Sequence, residues 1–325
     1  MRLGRLLLAL AAVGLFAPSL PAFAQYPDRP LRVIVPFPPG ATNDILGRAF
    51  AERLSREFGQ PVIVENRGGA GTAIGAQAAA MARPDGYTML LGTGTTYVLN
   101  PALRPNNLSY DPVRDFTMVS IMAEVPIVFI ANAQMPMRSL AEMVSHARAN
   151  PGRLTYSSAG IATSLHLAGE MFARAANIQL VHVPYPGSAQ AMLAVVSGDV
   201  AMMAEVVSGA MAGIQSGRVI PLAVTSDERL SILPNVPTVA ESGYPGFQAL
   251  GWYGLALPRA TPAPIVERLR EATNRILAQG AMRAHFEPSG LIILGPGDAA
   301  GVERYLERDR ERWVPLIRSL NITAD

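Results

Sequence analysis

Short apolar runs alternate with helix-period runs from about residue 32 onward. The run at 32–37 is rich in β-branched residues and predicts a buried strand. An apolar residue then recurs at every fourth position from 46 to 58, which predicts an amphipathic helix that Thr42 or Asn43 caps. The same alternation predicts strands at 61–65 and 87–91 and a helix at 74–82. Strand–helix alternation of this kind is typical of an α/β fold with a mainly parallel sheet.

The pattern restarts in the middle of the chain. Residues 231–247 are rich in proline, glycine and serine and predict a linker or lobe-crossing segment. Two α/β lobes are therefore expected, the first made of 26–128 with 248–325 and the second of 129–247. The predicted strands are 127–131, 154–157, 179–183, 200–204, 219–224 and 251–257, and the predicted helices are 139–149, 164–175, 189–197, 264–279 and 299–320.

Residues 1–24 have the organisation of a secretory signal peptide. Arg2 and Arg5 form a positive start, 6–16 is apolar, and cleavage is expected after Ala24. The apolar run is too short to cross a bilayer, which requires about 20 residues; an uncleaved anchor is the alternative. The chain contains no cysteine, which excludes a lipoprotein anchor and disulfides. The sequence thus predicts a soluble protein exported to the periplasm.

The charge balance argues against a nucleic-acid partner. The chain has 27 basic residues, all arginine, and 25 acidic residues. Removal of 1–24 takes away two arginines and no acid, so the mature chain has no formal net charge. Without net positive charge there is no general electrostatic attraction to a polyphosphate.

Three loops that follow predicted strands share an unusual composition. The loops at 38–44, 92–96 and 157–164 are rich in glycine and hydroxyl side chains and contain no arginine. In open α/β sheets ligands bind beyond the carboxyl ends of the strands, where helix amides point at them. Such amides favour a carboxylate or another small anion. The loops therefore predict an anion site in a cleft between the lobes, unless they are ordinary helix caps.

Other motifs point to neither a cofactor nor a catalytic centre. The glycines between 69 and 75 do not have dinucleotide-loop spacing. The four histidines lack metal-ligand spacing, so no metal is expected. Ser164 and His166 are two positions apart and lie on different helix faces, which excludes a nucleophile–base pair between them.

Two acidic residues have alternative interpretations. Asp44 is either an acid at the start of a helix or an acceptor for a ligand hydroxyl or ammonium. Glu205 ends a predicted strand and is either a salt-bridge partner or an acceptor from the second lobe.

Taken together, these segments resemble the Bug-type periplasmic solute-binding receptors of tripartite tricarboxylate transporters. The resemblance runs from Tyr26 nearly to the C-terminus. It is carried by PDRPLRVIVPFPPGATNDILGR (27–48), VIVENRGGAGTAIGA (62–76), ARPDGYTMLLGT (82–93), YDPVRDF (110–116), LTYSSAGIATSLHLAGEMF (154–172), HVPYPGSAQAML (182–193), IPLAVTSDERLSILPNVPTVAESGYPGF (220–247) and GWYGLALP (251–258).

The resemblance implies a two-lobe Venus flytrap whose lobes, joined by crossing strands, close around a small organic acid. It implies that the first strand–helix loop and the SSAGIATS loop hold the carboxylate, partly through water. Thr93 and Thr95 enter as candidates from the loop at 92–96. The resemblance adds the candidates Phe37, Gly40, Ala41, Thr42, Asp44, Ser158, Ala159, Gly160, Thr163, Ser164, Tyr185 and Glu205.

Four positions depart from the family pattern. Ala41 and Thr72 replace glycines, and Gly68 replaces a proline. Glu205 stands where an aspartate is common, so the pocket is expected to differ from those of relatives.

The expected function is therefore that of a non-enzymatic receptor. It binds a mono- or dicarboxylate, acts as a monomer without a cofactor, and delivers its ligand to the membrane subunits of a transporter. The alternatives are a ligand sensor that docks to a sensor kinase and an exported serine hydrolase.

Overall fold

The computed structural model describes residues 26–161 and 163–320. The predicted signal peptide, 1–24, lies outside the described residues. Elements are numbered in chain order. The N-terminal part comprises β1 (Leu31–Val35), α1 (Thr42–Phe58), β2 (Val62–Asn66), a 3₁₀ turn (Ala70–Thr72), α2 (Ala73–Ala80), β3 (Thr88–Thr93), a π-helical turn (Thr95–Leu99) and α3 (Asn100–Leu103).

A long strand leads into the middle of the chain. The elements there are β4 (Phe116–Asn132), α4 (Leu140–Ala149), β5 (Thr155–Ser158), α5 (Ser164–Ala176), β6 (Val181–Pro184), α6 (Ser188–Ser197), β7 (Met202–Val206), α7 (Val207–Gln215) and β8 (Val219–Val224). The C-terminal part comprises β9 (Leu250–Pro258), α8 (Ala263–Ala278), α9 (Gly280–Phe286), a 3₁₀ turn (Glu287–Ser289), β10 (Ile292–Ile293) and α10 (Ala299–Leu320).

The strands follow the order β2-β1-β3-β9-β4-β7-β5-β6, with β8 and β10 also paired to β4. Pairs within the βαβ units, such as β1 with β3 and β5 with β7, are parallel. The pairs that β4 forms with β9, β7, β8 and β10 are antiparallel. The predicted two-lobe α/β fold with crossing strands is confirmed, and the sheet is mixed because the crossing strands run against their neighbours.

Two segments of the chain pass between the lobes. The first part of β4, up to Pro126, pairs with β9, and from Ile127 onward β4 pairs with β7. The second is the segment that leads from β8 back to β9. Thr225 holds it in place, because its hydroxyl donates to Ala249 O at 2.6 Å and accepts from Ile127 N at 3.1 Å. Thr225 is fully buried, so the two crossings are tied together in the interior.

Helix α1 shows how the apolar pattern translates into structure. Leu46, Phe50 and Leu54 are fully buried against β1 and β3. The helix ends at Gly59, which has φ 66° and therefore occupies the left-handed region. The prediction that Thr42 or Asn43 caps the helix is wrong: Ala41 is the N-cap and supplies no side-chain hydrogen bond.

Several elements differ from their predicted bounds. Strand β4 begins at Phe116 instead of 127, and helices α7 and α9 were not predicted. The serine cap of α4 is confirmed, because Ser139 accepts from the Glu142 amide at 3.2 Å. Among the described residues, no helix combines the length and apolar character needed to cross a bilayer.

Candidate functional site

A cavity of about 230 Å³ lies between the lobes beside the crossing strands. Its wall is largely apolar, and none of its lining residues is an arginine. Three groups of residues form it. The N- and C-terminal parts of the chain contribute Phe37, Thr93, Gly94, Thr95, Leu99, Trp252, Tyr253, Asp309 and Trp313; the middle part contributes Ala159, Thr163, Ser164, Leu165, Ser188, Glu205 and Val206; Val125, Ile127, Leu250 and Gly251 come from β4 and β9.

The start of α5 forms part of the wall of this cavity. Thr163 is the N-cap, and its hydroxyl accepts from the His166 amide at 3.3 Å. The first amides of a helix have no acceptor within the helix. Ser164 and Leu165 line the cavity, and the positive end of the helix dipole at this position favours an anion.

The junction between β3 and the π-helical turn also lines the cavity. Thr93 ends β3, Gly94 follows it and Thr95 begins the π-helical turn, and all three line the cavity. A Cβ at Gly94 would lie 2.8 Å from Trp252 Nε1, so only glycine fits there without displacing the indole. The Thr93 amide donates to Thr96 Oγ1 at 3.2 Å, which fixes the loop internally.

An aromatic cluster closes the first-lobe side. Trp252 is stacked on Tyr97 with ring centroids 5.7 Å apart. The indoles of Trp252 and Trp313 donate to Asp309, at 2.7 Å to Oδ2 and 3.0 Å to Oδ1. Burial raises the pKa of Asp309 to about 6, and the indole donors together with the Arg312 charge oppose the rise. Both oxygens of this buried carboxyl are therefore already hydrogen-bonded.

Glu205 is the second buried acid of the cavity. Its side chain is 1% exposed, and Oε1 accepts from the Val206 amide at 2.8 Å. Within the described part of the chain, Oε2 has no hydrogen-bond partner and the carboxyl has no ion-pair partner. Burial raises the pKa of Glu205 to about 7, against the lowering effect of the Ser188 hydroxyl and the Val206 amide. The salt-bridge interpretation of Glu205 is therefore wrong.

Asp44 holds the first strand–helix loop in place. One oxygen accepts from the Gly40 amide at 2.9 Å and from Arg48 Nε at 3.0 Å, and the other accepts from Asn66 Nδ2 at 2.8 Å. Burial by itself raises the pKa of Asp44, but these hydrogen bonds and the Arg48 charge lower it below its usual value. Asp44 therefore acts as an anchor for the loop, and Asn66 also donates to Phe37 O at 3.0 Å.

The structure brings half of the predicted ligand residues together at the cavity wall. Phe37, Thr93, Thr95, Ala159, Thr163, Ser164 and Glu205 line it. Gly40, Ala41, Thr42, Asp44, Ser158, Gly160 and Tyr185 are not part of the lining. Thr42 is linked to the wall indirectly through a hydrogen bond with the hydroxyl of Tyr253, whose pKa is raised by burial.

Ser158, the last residue of β5, does not line the cavity but forms hydrogen bonds next to it. Its hydroxyl is 2.7 Å from His182 Nε2, and it also contacts both the amide and the carbonyl of Gly160, at 3.2 and 3.0 Å. Ser158 is fully buried. The serine–histidine distance suits a nucleophile and its base. The nearby carboxyl of Glu170 is hydrogen-bonded to Tyr156 at 2.6 Å, and among the described residues no acid is hydrogen-bonded to His182.

The residues that sequence reasoning missed are mainly aromatic or distant in the chain. Trp252, Tyr253, Asp309, Trp313 and Ser188 line the cavity and were not among the candidates. The GWYGLALP segment contains two of them and was interpreted as a strand and as a family segment, with no ligand-binding residue assigned to it. No local motif marks Asp309 or Trp313, which lie within a helix of alternating acids and arginines.

A larger groove lies elsewhere on the molecule. It measures about 720 Å³ and is lined by charged side chains such as Glu228, Arg229, Arg283 and Glu287. None of the three glycine- and hydroxyl-rich loops contributes to it. Over 26–161 and 163–320, no group of three potential metal-ligating side chains occurs.

The chain matches the family model described as the tripartite tricarboxylate transporter family receptor over residues 46–322. Protein BugT from Bordetella pertussis (strain Tohama I) is 32% identical over 317 residues, which cover 95% of this chain and 96% of BugT.

Two solved structures are similar over nearly their whole length. Rpa4515 of R. palustris, solved with adipate, has a TM-score of 0.81 and 31% identity, covering 92% of this chain and 99% of that one. MatC (Rpa3494) from Rhodopseudomonas palustris, with bound malate, has a TM-score of 0.76 and 31% identity, covering 90% and 100%.

Proposed function

The chain belongs to the tripartite tricarboxylate transporter receptor family, and on that premise we propose that it captures a small organic carboxylate between its lobes in the periplasm and delivers it to the membrane subunits of such a transporter. One observation carries the proposal. The interlobe cavity is bordered by the start of α5 and by the loop 93–95, which offer amides and hydroxyls in place of an arginine.

Hydrogen bonds from these donors can provide the free energy needed to bind a carboxylate. Hydrogen bonds to a charged group contribute roughly 1.5–3 kcal/mol each. About four to six of them, after the costs of association are subtracted, suffice for micromolar affinity, which corresponds to about 8 kcal/mol. Adipate and malate in the relatives Rpa4515 and MatC support a carboxylate ligand here.

Capture is proposed to proceed by closure of the two lobes. We assign 26–128 with 248–325 to the first lobe and 129–247 to the second, because β4 changes its pairing partner after Pro126. A ligand that contacts both lobes stabilises the closed form over the open form. The receptor is proposed to act as a monomer after cleavage following Ala24; light scattering and N-terminal sequencing of the exported protein test these two points.

A thermal-shift screen of residues 25–325 against small carboxylates tests the function. At 100 times the Kd, a ligand adds about 2.7 kcal/mol of stability, which gives a clear rise in Tm. The absence of any shift across mono- and dicarboxylates of two to eight carbons would overturn the proposal.

Ala159→Leu locates the site. Ala159 lines the cavity, and a larger side chain there occupies part of the 230 Å³. We expect the affinity for the best ligand of the screen to fall by about tenfold or more, since an overfilled site must shift to admit the ligand. Ala278→Leu, an exposed substitution at the end of α8, is the matched control and is expected to bind as the wild type does. Equal affinity in both variants would place the site elsewhere.

A further inference from the structure

Glu205 points to the class of carboxylate that the cavity accepts. Building on the proposed function, we infer that the ligand is a monocarboxylate that also carries a hydrogen-bond donor, such as an amide or a hydroxyl, and that Glu205 Oε2 accepts this bond. A plain dicarboxylate of the same length is then the poorer ligand.

The carboxyl of Glu205 is held in one orientation. Val206 N–H fixes Oε1 at 2.8 Å, and Ser188 lies at the start of α6 beside it. On the α7 side, even a Cβ at Gly209 would lie 3.0 Å from Oε1. The carboxyl therefore lies between the starts of two helices, and Oε2 is shielded from solvent.

Oε2 is the atom that a ligand can satisfy. Glu205 is 1% exposed and lines the cavity, and within the described residues Oε2 has no hydrogen-bond partner. Buried acceptors are normally paired, and an exception requires an explanation. The hydrogen bond from the Val206 amide accounts for Oε1 alone.

The charges of the cavity disfavour a second ligand carboxylate. Glu205 and Asp309 both line it, and no arginine does. Asp309 is already satisfied by the two indoles, so Glu205 is the acid with an open position. A carboxylate placed against an ionised Glu205 would meet a like charge without a hydrogen on either group. An amide or hydroxyl instead supplies the hydrogen that Oε2 lacks.

Isosteric ligand pairs test the inference directly. The pairs are the four-, five- and six-carbon diacids with their monoamides, and terephthalate with 4-carbamoylbenzoate, each measured by calorimetry at pH 8. For each pair that binds, we expect the wild type to bind the monoamide about tenfold or more tightly than the diacid. The reason is that a hydrogen bond to a charged group replaces a like-charge contact. The side-chain amide of Glu205→Gln can donate to a carboxylate, so the ratio of the diacid Kd to the monoamide Kd is expected to fall below about twofold.

Two further variants make the result specific. Glu205→Asp keeps the charge but withdraws the oxygen, and it is expected to keep the direction of the preference. Glu170→Gln removes another carboxyl of the second lobe that does not line the cavity, and its ratio is expected to equal that of the wild type.

The possible failures are distinguishable. If no carboxylate of any pair or of the screen binds the wild type, the receptor proposal itself fails. If the diacid binds as tightly as its monoamide, or if Glu205→Gln leaves the ratio unchanged, the receptor proposal stands and the assignment of Glu205 is overturned.

Discussion

Replacing Trp252 by alanine is expected to lower the free energy of unfolding by about 4 kcal/mol, the range for removal of a fully buried large aromatic side chain. Trp252 is 1% exposed. It stacks on Tyr97, meets Tyr305 edge-on at 5.8 Å and donates to Asp309. The substitution removes these contacts and also leaves Asp309 Oδ2 without its donor in a buried setting, which adds to the cost.

Urea unfolding followed by far-UV circular dichroism measures this effect. Tryptophan fluorescence is unsuitable because the substitution removes one of the only two tryptophans in the chain. Trp252→Phe is the matched variant: it retains most of the ring and loses the N–H, so a smaller loss of about 1–3 kcal/mol is expected. A loss below 1 kcal/mol for Trp252→Ala would show that the cluster does not stabilise the first lobe.

The second large effect is the destabilising contribution that His166 and His182 make in mild acid. The two rings are stacked with centroids 3.9 Å apart beneath the second-lobe loop. Burial lowers the pKa of His166 to about 4, and burial with the neighbouring His166 lowers the pKa of His182 to about 4. The ordinary value of 6.5 applies to the unfolded chain.

The direction follows from proton binding. Between pH 6.5 and 4 the unfolded chain binds protons at these histidines and the folded protein does not. The contribution of the two histidines to stability is therefore full above pH 6.5 and is lost as the pH falls towards 4. For His166, which is 5% exposed, the loss amounts to about 3 kcal/mol. His182 is half-buried, so water screens it and its contribution is smaller.

His166→Phe separates this effect from other titrations. Glu205 and Asp309, with pKa values raised to about 7 and about 6, act in the opposite direction and lower stability as the pH rises. The variant keeps the ring stack but cannot be protonated. Relative to its value at pH 7, the unfolding free energy at pH 4.5 is therefore expected to be about 2–3 kcal/mol higher in the variant than in the wild type. His285→Gln, which removes an exposed imidazole, is the control; identical pH dependence of His166→Phe and wild type would refute the assignment.

The local pattern predicted those elements that local physics dictates. The four-residue recurrence from 46 to 58 predicted α1, whose buried face is formed by Leu46, Phe50 and Leu54. The serine before 140 predicted the start of α4. Helix α7 was missed because Gly209 and Gly213 interrupt its apolar pattern and the segment resembles a continuation of β7.

The cavity could be predicted only in part. The glycine- and hydroxyl-rich loops marked Thr93, Thr95, Thr163 and Ser164, because strand–helix junctions are recognisable in the sequence. The aromatic wall could not be recognised in this way. Trp252 meets Asp309 across 57 positions of the chain, and nothing in either segment reveals the other.

Two pairings show the limit most clearly. Ser164 and His166 were correctly separated by helix geometry, yet Ser158 lies 2.7 Å from His182 because β5 and β6 run side by side. In the sequence, Asp44 and Glu205 each had a structural interpretation and a ligand-accepting one. The structure surrounds Asp44 with three donors and leaves one oxygen of Glu205 without any.

The sequence by itself determined the strand–helix order, the absence of an arginine from the three loops, and the resemblance to a receptor family. These properties depend on residue types and on residues close together in the chain, and both can be read from the sequence. The tertiary structure alone decided which side chains line the cavity and which acid keeps an open acceptor. Burial and hydrogen-bond pairing are set by contacts between segments far apart in the chain, so they arise only when β4, β9 and α10 have packed together.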